Sequence, residues 1–241
     1  MTEALAFLHG LEEACAGRIE PFAYGRGFFR DELPNVWDLN FLRVERGDPG
    51  APELAAEADR MMGHLAHRRV VVDDAELAER LEPAFPPLGW TIERHLVMEH
   101  RRPPETGQAP ADGVEASAEE LGSLWAELNR RRGFELGLRP VVAAAVPTRY
   151  FAAPVDGVPA SCCELYSRDG IGQIEDVVTL EEHRKQGLAT AVVLAALAAS
   201  QAEGNTLTFL LADADDTVHH LYERLGFEPT GRRRRFQRLP T

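Results

Sequence analysis

Lysine is almost missing from this chain. Lys185 is the single one among 26 basic residues, and the rest are arginine. With abundant alanine, that bias points to a GC-rich bacterial genome. Cysteine is scarce as well: Cys15, Cys162 and Cys163 cannot build a disulfide framework. The adjacent Cys162 and Cys163 fall in a strand-like stretch, face opposite ways, and read as buried small hydrophobes. No run of about 18 apolar residues occurs, so no helical membrane span and no membrane partner are expected. The opening MTEALAFLHGLEEACAGRIE has no basic start and carries acids throughout, so it does not read as a signal peptide. A cytoplasmic location is expected. Positive charge is in deficit, with a net charge of −13. That argues against a nucleic-acid partner and for a cationic substrate. No cysteine or acid set completes a metal site around His64 and His67 or around His219 and His220, so no metal is expected.

What is present divides at residues 101–113. RRPPETGQAPADG holds three prolines and two glycines and adds nothing to a core. Two domains are therefore expected, 1–100 and 114–241, and the oligomer is left open between monomer and homodimer. In the first, apolar spacing gives a helix over 3–16, a strand over 37–45 and a helix from 53 opened by Pro52. A strand over 68–73, a helix over 75–81 capped by Asp73 or Asp74, and a strand over 90–100 follow. Gly25 and Gly27 break any helix in FAYGRGFF. In the second, Ser117 and Glu120 have capping-box spacing for a helix over 117–132, and 133–147 gives no clear pattern. Strands are expected at 148–155, 160–167 and 171–180, with Asp156-Gly157 as the first hairpin turn. Helix 187–202, strand 206–212, helix 215–225 and a strand around 232–238 end the chain. The basic run Arg232, Arg233, Arg234 and Arg235 reads as a solvated face of that last strand.

Two segments echo each other. VVVDDAELAERL at 70–81 and FLLADADDTVHHLYERLGF at 209–227 are each an apolar strand, an acidic connection and a helix ending L-x-E-R-L. Each is followed by a Gly-aromatic pair, Gly89-Trp90 and Gly226-Phe227. The first hundred residues read as a shortened, degenerate copy of the rest.

The rest of the chain is organised around IEDVVTLEEHRKQGLATA at 174–191, a strand, a tight loop and the start of a helix. A helix N-terminus leaves N–H groups unpaired and carries partial positive charge. Gly187 and Ala189 are small enough to let a phosphate approach those groups, and Arg184 and Lys185 add full charge. The R-x-x-G-x-A spacing resembles the acetyl-CoA pyrophosphate loop of the GCN5-related N-acetyltransferase (GNAT) family. LYERLGF at 221–227 resembles the same family's Tyr-x-x-Leu-Gly-Phe helix end, in the family's order and separation.

The resemblance implies an α/β (α+β) fold, a mixed and mainly antiparallel sheet flanked by helices, with the smaller degenerate half at the N-terminus. It implies a GNAT acetyltransferase domain over 114–241 that moves an acetyl group from acetyl-CoA, as cosubstrate, to a small-molecule or peptide amine. Arg184, Lys185, Gln186, Gly187, Leu188, Ala189 and Thr190 map to the pyrophosphate contacts, and Val177, Val178 and Thr179 to the strand that holds the pantetheine arm. Tyr222 matches the tyrosine that protonates the departing thiolate. Strict alternation puts Gln173, Glu175, Val177 and Thr179 on one strand face, with Asp176 pointing away. Glu175 is then the candidate base, directly or through water; family members with a strand glutamate often have it where Gln173 stands. The alternative is a protein that binds or senses acyl-CoA without catalysis.

Overall fold

The computed structural model describes residues 2–105, 112–132 and 137–239. The chain opens with helix α1 (Glu3–Cys15), capped by the Thr2 hydroxyl on the Leu5 N–H. Strands β1 (Arg18–Phe22), β2 (Gly25–Phe29) and β3 (Phe41–Val44), helix α2 (Ala51–Met61), strand β4 (Arg68–Val72), helix α3 (Ala75–Leu81) and strand β5 (Thr91–His100) follow. The second half runs β6 (Val114–Ala116), α4 (Ala118–Arg132), α5 (Leu138–Ala145), β7 (Thr148–Val155), β8 (Val158–Arg168), β9 (Ile171–Thr179), α6 (Leu188–Ala202), β10 (Leu207–Asp213), α7 (His219–Arg224) and β11 (Phe227–Arg238).

One sheet contains all eleven strands, in the order β1-β2-β3-β4-β11-β5-β10-β9-β8-β7-β6. The topology is written twice. β1, β2 and β3 pair antiparallel and β3 pairs parallel with β4. β7, β8 and β9 pair antiparallel and β9 pairs parallel with β10. In each copy a helix joins the third strand to the fourth and another helix leads to the last. The last strands are exchanged: β5 lies against β10 of the second copy, and β11 against β4 of the first. β5 and β11 pair with each other across ten residues each. The fold is thus a mixed, mainly antiparallel sheet flanked by helices, with the smaller copy first.

One face carries α2, α3, α6 and α7, over two apolar clusters centred on Leu54, Phe85 and Phe236 and on Val192, Val193 and Phe227. The other carries α1, α4 and α5, over clusters containing Phe7 and Phe209 or Leu121 and Cys162. Cys162 and Cys163 are both buried and belong to opposite faces. Among the described residues no helix is long and apolar enough to cross a membrane.

The structure departs from the sequence reading at definite places. The strand expected over 37–45 is confined to Phe41–Val44, and Trp37–Leu39 is a 3-10 turn. Asn40 explains the change: its side chain accepts from the Arg30 N–H and donates to the Leu33 and Val36 carbonyls, folding the preceding segment back. FAYGRGFF is a hairpin strand. A Cβ on Gly25 would stand 1.9 Å from the Arg43 carbonyl oxygen, so this glycine permits close strand approach. Helix α5 occupies part of the segment that showed no pattern, and 133–136 lies outside the described residues, as does 106–111 of the expected linker. The arginine run is not a solvated face. Arg233 and Arg234 are buried because β11 is an interior strand. Arg233 pairs with Asp73 at 2.6 Å and Glu12 at 2.6 Å, and Arg234 pairs with Glu82.

Candidate active site

The loop between β9 and α6 has the geometry of an anion cradle. A 3-10 turn, Glu181–His183, delivers the chain to Arg184. Lys185 and Gly187 both take left-handed backbone, φ +63° and +83°, and Gly187 is the N-cap of α6. The first intrahelical bond runs from the Ala191 N–H to the Gly187 carbonyl, so the N–H groups of Leu188, Ala189 and Thr190 precede it. Among the described residues no side chain caps this end. In the first copy the equivalent end of α2 is closed by the chain itself. The Glu53 carboxylate accepts the Gly50 N–H at 2.8 Å and places a negative charge at that helix end.

The strand before the loop parts from its parallel neighbour. β9 and β10 are paired from Ile171 with Leu207 to Ile174 with Leu210. Beyond Ile174, β9 is paired only with β8, and β10 only with β5. The backbone of Val177, Val178 and Thr179 therefore borders an open wedge on the β10 side. A bulge accompanies the splay. Glu164 faces Glu175 and Cys162 faces Val178, so one extra residue lies on β9 between them. Asp176 takes the strain at φ +50°.

That bulge corrects the alternation. Gln173 and Glu175 share the α1, α4 and α5 face, where Gln173 lies opposite Tyr166. Val178 stays on that face, but Val177 packs with the α6 cluster on the other. Glu175 is therefore not on the face of Val177 and Thr179. Asp176 does not point away either. It shares Arg139 with the buried Glu164, whose other oxygen accepts the Tyr166 hydroxyl at 2.6 Å. The Arg139 guanidinium lies 4.6 Å from the Trp125 ring centre. Arg139, on α5, thus ties the bulge to the helical layer. It belongs to no motif, and nothing in the sequence separates it from the other arginines.

Glu175 accepts a hydrogen bond from the Gln173 amide at 2.5 Å. Burial raises its carboxyl to about 7, against the opposing pull of Arg235 and of the Gln173 bond. Tyr222, on α7, is 5% exposed and packs edge-on to Phe227 at 6.3 Å. Burial pushes its phenol upward, and the nearby Glu175 carboxylate pushes the same way. The tyrosine therefore keeps its proton across neutral pH. The loop directly follows the wedge beside Val177, and Tyr222 packs in the α6 cluster on the same side of the sheet, whereas Glu175 acts on Tyr222 electrostatically from the α1 face.

The histidines divide. His67 is buried against Trp37 and bonds the Asn40 carbonyl at 2.9 Å. His219, His220 and Glu223 each bring one ligand-type atom within 4.8 Å of the others. Both rings already have hydrogen-bond partners: His219 Nδ1 bonds the Asp216 carbonyl at 2.6 Å, and His220 Nδ1 bonds Glu223 at 2.9 Å.

Comparison with known proteins agrees with this geometry. The model of the acetyltransferase (GNAT) family matches residues 115–227. Residues 115–227 belong to the GNAT family. The match runs from β6 through Phe227 and so contains the splayed strands, the loop and Tyr222. A GCN5-related N-acetyltransferase from Kribbella flavida superposes with a TM-score of 0.63 at 22% identity, over 98% of this chain and 93% of that one. A conserved protein of unknown function from Staphylococcus epidermidis superposes with a TM-score of 0.72 at 13% identity, over 94% and 95%. A GNAT-family acetyltransferase from Colwellia psychrerythraea gives 0.53 at 11%, over 89% and 81%. At these identities the likeness is one of fold, and it extends over both copies. No curated protein matches the chain.

Proposed function

We propose that the chain is an acetyl-CoA-dependent N-acetyltransferase whose catalytic domain is 114–241, with 1–100 as a degenerate copy that binds no CoA. The observation that carries this reading is the joint presence, within the GNAT segment, of the uncapped α6 N-terminus and the wedge beside it. Arg184, Lys185 and the N–H groups from Gly187 to Thr190 bind the pyrophosphate. The free backbone of Val177 and Thr179, with Val178 packed behind, orients the pantetheine arm. Acetyl-CoA supplies the acyl group as a thioester. Glu175 takes the proton of the incoming ammonium, directly or through one water, so that the nitrogen lone pair is free. The carbon–nitrogen bond forms, the carbon–sulfur bond breaks, Tyr222 gives its proton to the departing sulfur, and the second proton lost by the nitrogen passes through water to restore the phenol. The first copy lacks these parts, because Glu53 occupies its helix end and Ala78 stands in the place of Tyr222. The location proposed is cytoplasmic.

The test is direct. Purified protein is titrated with acetyl-CoA by calorimetry and then offered panels of amines, with free thiol as the readout. Binding with release of thiol that depends on the amine is the expected result. Binding without turnover on any amine favours the acyl-CoA sensor, and no binding removes the assignment.

A further inference from the structure

Beyond Glu175, the α1 face of the central strands carries a cluster of charged groups contributed by both copies. Arg69 on β4 and Arg235 on β11 lie beneath two carboxylates, Asp38 after β2 and Glu93 on β5. Asp38 is 2.7 Å from Arg69 and 3.3 Å from Arg235. Glu93 is 3.7 Å from Arg69 and 3.8 Å from Arg235, and it accepts the Gln237 amide at 2.7 Å. The burial is layered. The Asp38 and Glu93 side chains keep 45% and 38% of their exposure, whereas Arg69 keeps 6% and Arg235 20%. The cations are recessed and the anions face water.

Among the described residues three buried polar atoms in or near this cluster have no partner: the donor Arg69 Nε, and two that can accept from an ammonium, His95 Nδ1 and Gln173 Oε1. Gln173 is 2% exposed, and its other amide atom holds Glu175. A native interior leaves few such atoms unpaired, and each acceptor here calls for a donor such as a water or a ligand. Arg235 and Asp38 act electrostatically on Glu175, so the cluster lies within electrostatic reach of the candidate base on the same face of the sheet. Asp38 stays ionised. Burial works against its charge, but Arg235 and Arg69 outweigh it and hold the carboxyl at about 2. His95 stays neutral: burial and the neighbouring arginines Arg235 and Arg233 lower it to about 3. The two carboxylates balance the charge of the two arginines, and it is the carboxylates that are presented to the water.

We propose that this cluster and Glu175 together bind the acceptor, and that the acceptor is a small molecule with at least two ammonium groups, one presented to Glu175 and another held by Asp38 and Glu93. The inference rests on the acetyl-transfer reading above. It gives the first copy a task, because Asp38, Arg69 and Glu93 all come from it. A monoamine fills only the Glu175 end. A second ammonium gains charge-assisted hydrogen bonds to carboxylates already fixed by arginines, which corresponds to about tenfold or more in affinity.

The experiment compares α,ω-diaminoalkanes with n-alkylamines of the same chain length. Binding to the CoA-saturated protein is measured by calorimetry, and acetylated product is measured in parallel. The diamines are expected to bind about tenfold or more tightly than the alkylamines. Asp38→Asn and Glu93→Gln are each expected to remove most of that margin, with acetyl-CoA affinity reporting that the variant is folded. Asp38→Asn deprives Arg69 of its nearest anion; if it fails to fold, Glu93→Gln, which stands farther from both arginines, carries the test alone. Equal affinity for diamine and alkylamine overturns the proposal, as does a margin that survives in the folded variants. Diamine binding lost in the variants, with no acetylated product from the parent, upholds the cluster as a diamine site and sinks the acetyl-transfer reading. Transfer to alkylamines and diamines with equal efficiency does the reverse.

Discussion

The roles proposed for Glu175 and Tyr222 depend on the surroundings of each side chain. An ordinary glutamate is ionised but too weak a base at neutral pH. Burial beside Gln173 moves Glu175 to about 7, where half of it is ionised and basic enough to accept an ammonium proton. The sign then fixes two pH dependences. Activity should rise with pH along an acid limb near 7, and Glu175→Gln should lower kcat by about 10²–10³-fold and erase that limb. Stability should move the other way. A raised carboxyl favours the folded state fully below its unfolded value, and that contribution is lost as pH rises from about 4.5 through about 7. Denaturant titrations of the parent and the Gln variant across this window check it. Tyr222→Phe keeps the ring against Phe227 and removes only the proton. Acetyl-CoA affinity should be unchanged and the chemical step slower by about 10²–10³-fold in single-turnover assays. A rate within about twofold of the parent rejects the assignment.

At the scale of elements, the loop and the bulge each depend on left-handed backbone. Gly187 adopts φ +83° where the helix begins, and any other residue there costs about 1–2 kcal/mol. Gly187→Glu adds an anion in front of the free N–H groups as well. It should leave a folded protein of slightly lower melting temperature and abolish acetyl-CoA binding by calorimetry. The bulge at Asp176 is pinned by Arg139 through Glu164. Arg139→Gln leaves the nearly fully buried Glu164 without its cation, a change that costs about 3 kcal/mol in comparable buried pairs. Chemical denaturation measures that loss, and a fall under about 1 kcal/mol contradicts the pinning.

The whole molecule is held by exchanged strands. β11 completes the first copy and β5 the second, so each copy's core contains a strand of the other. Phe236 of β11 stacks on Phe85 at 4.2 Å in the first copy's cluster, and Met98 of β5 is buried in the second's. The chain should unfold as one cooperative unit, with a single calorimetric transition whose van't Hoff and calorimetric enthalpies agree. Two resolved transitions would mean that the copies are independent. The arginines of β11 belong to the same seam. Arg233 is 2% exposed between Asp73 and Glu12, and its replacement by Gln strands two carboxylates, at a cost of about 3–5 kcal/mol in urea titrations.

The sequence by itself determined what is local. The strand–loop–helix at 174–191, the Ser117 and Glu120 cap, the Asp156-Gly157 turn and the apolar spacing of most elements follow from φ preference, capping and periodicity, which act over a few residues. The loop and Tyr222 were legible because each occupies a fixed offset in a short motif, and the repeat because two copies of one pattern remain in the chain. Only the tertiary structure decided the rest. The face of Glu175 hung on one extra residue in β9, and alternation cannot see a bulge that is set by pairing with β8. The arginine run looked solvated because charge is normally exposed; its burial required carboxylates from residues 12, 73 and 82, which sit more than a hundred positions away in sequence. The exchange of β5 and β11, and with it the meeting of Asp38, Glu93, Arg235 and Glu175 on one face, is likewise a matter of which strand edges pair. Backbone hydrogen bonds make such pairing strong, yet they carry no mark of partner in the sequence that forms them.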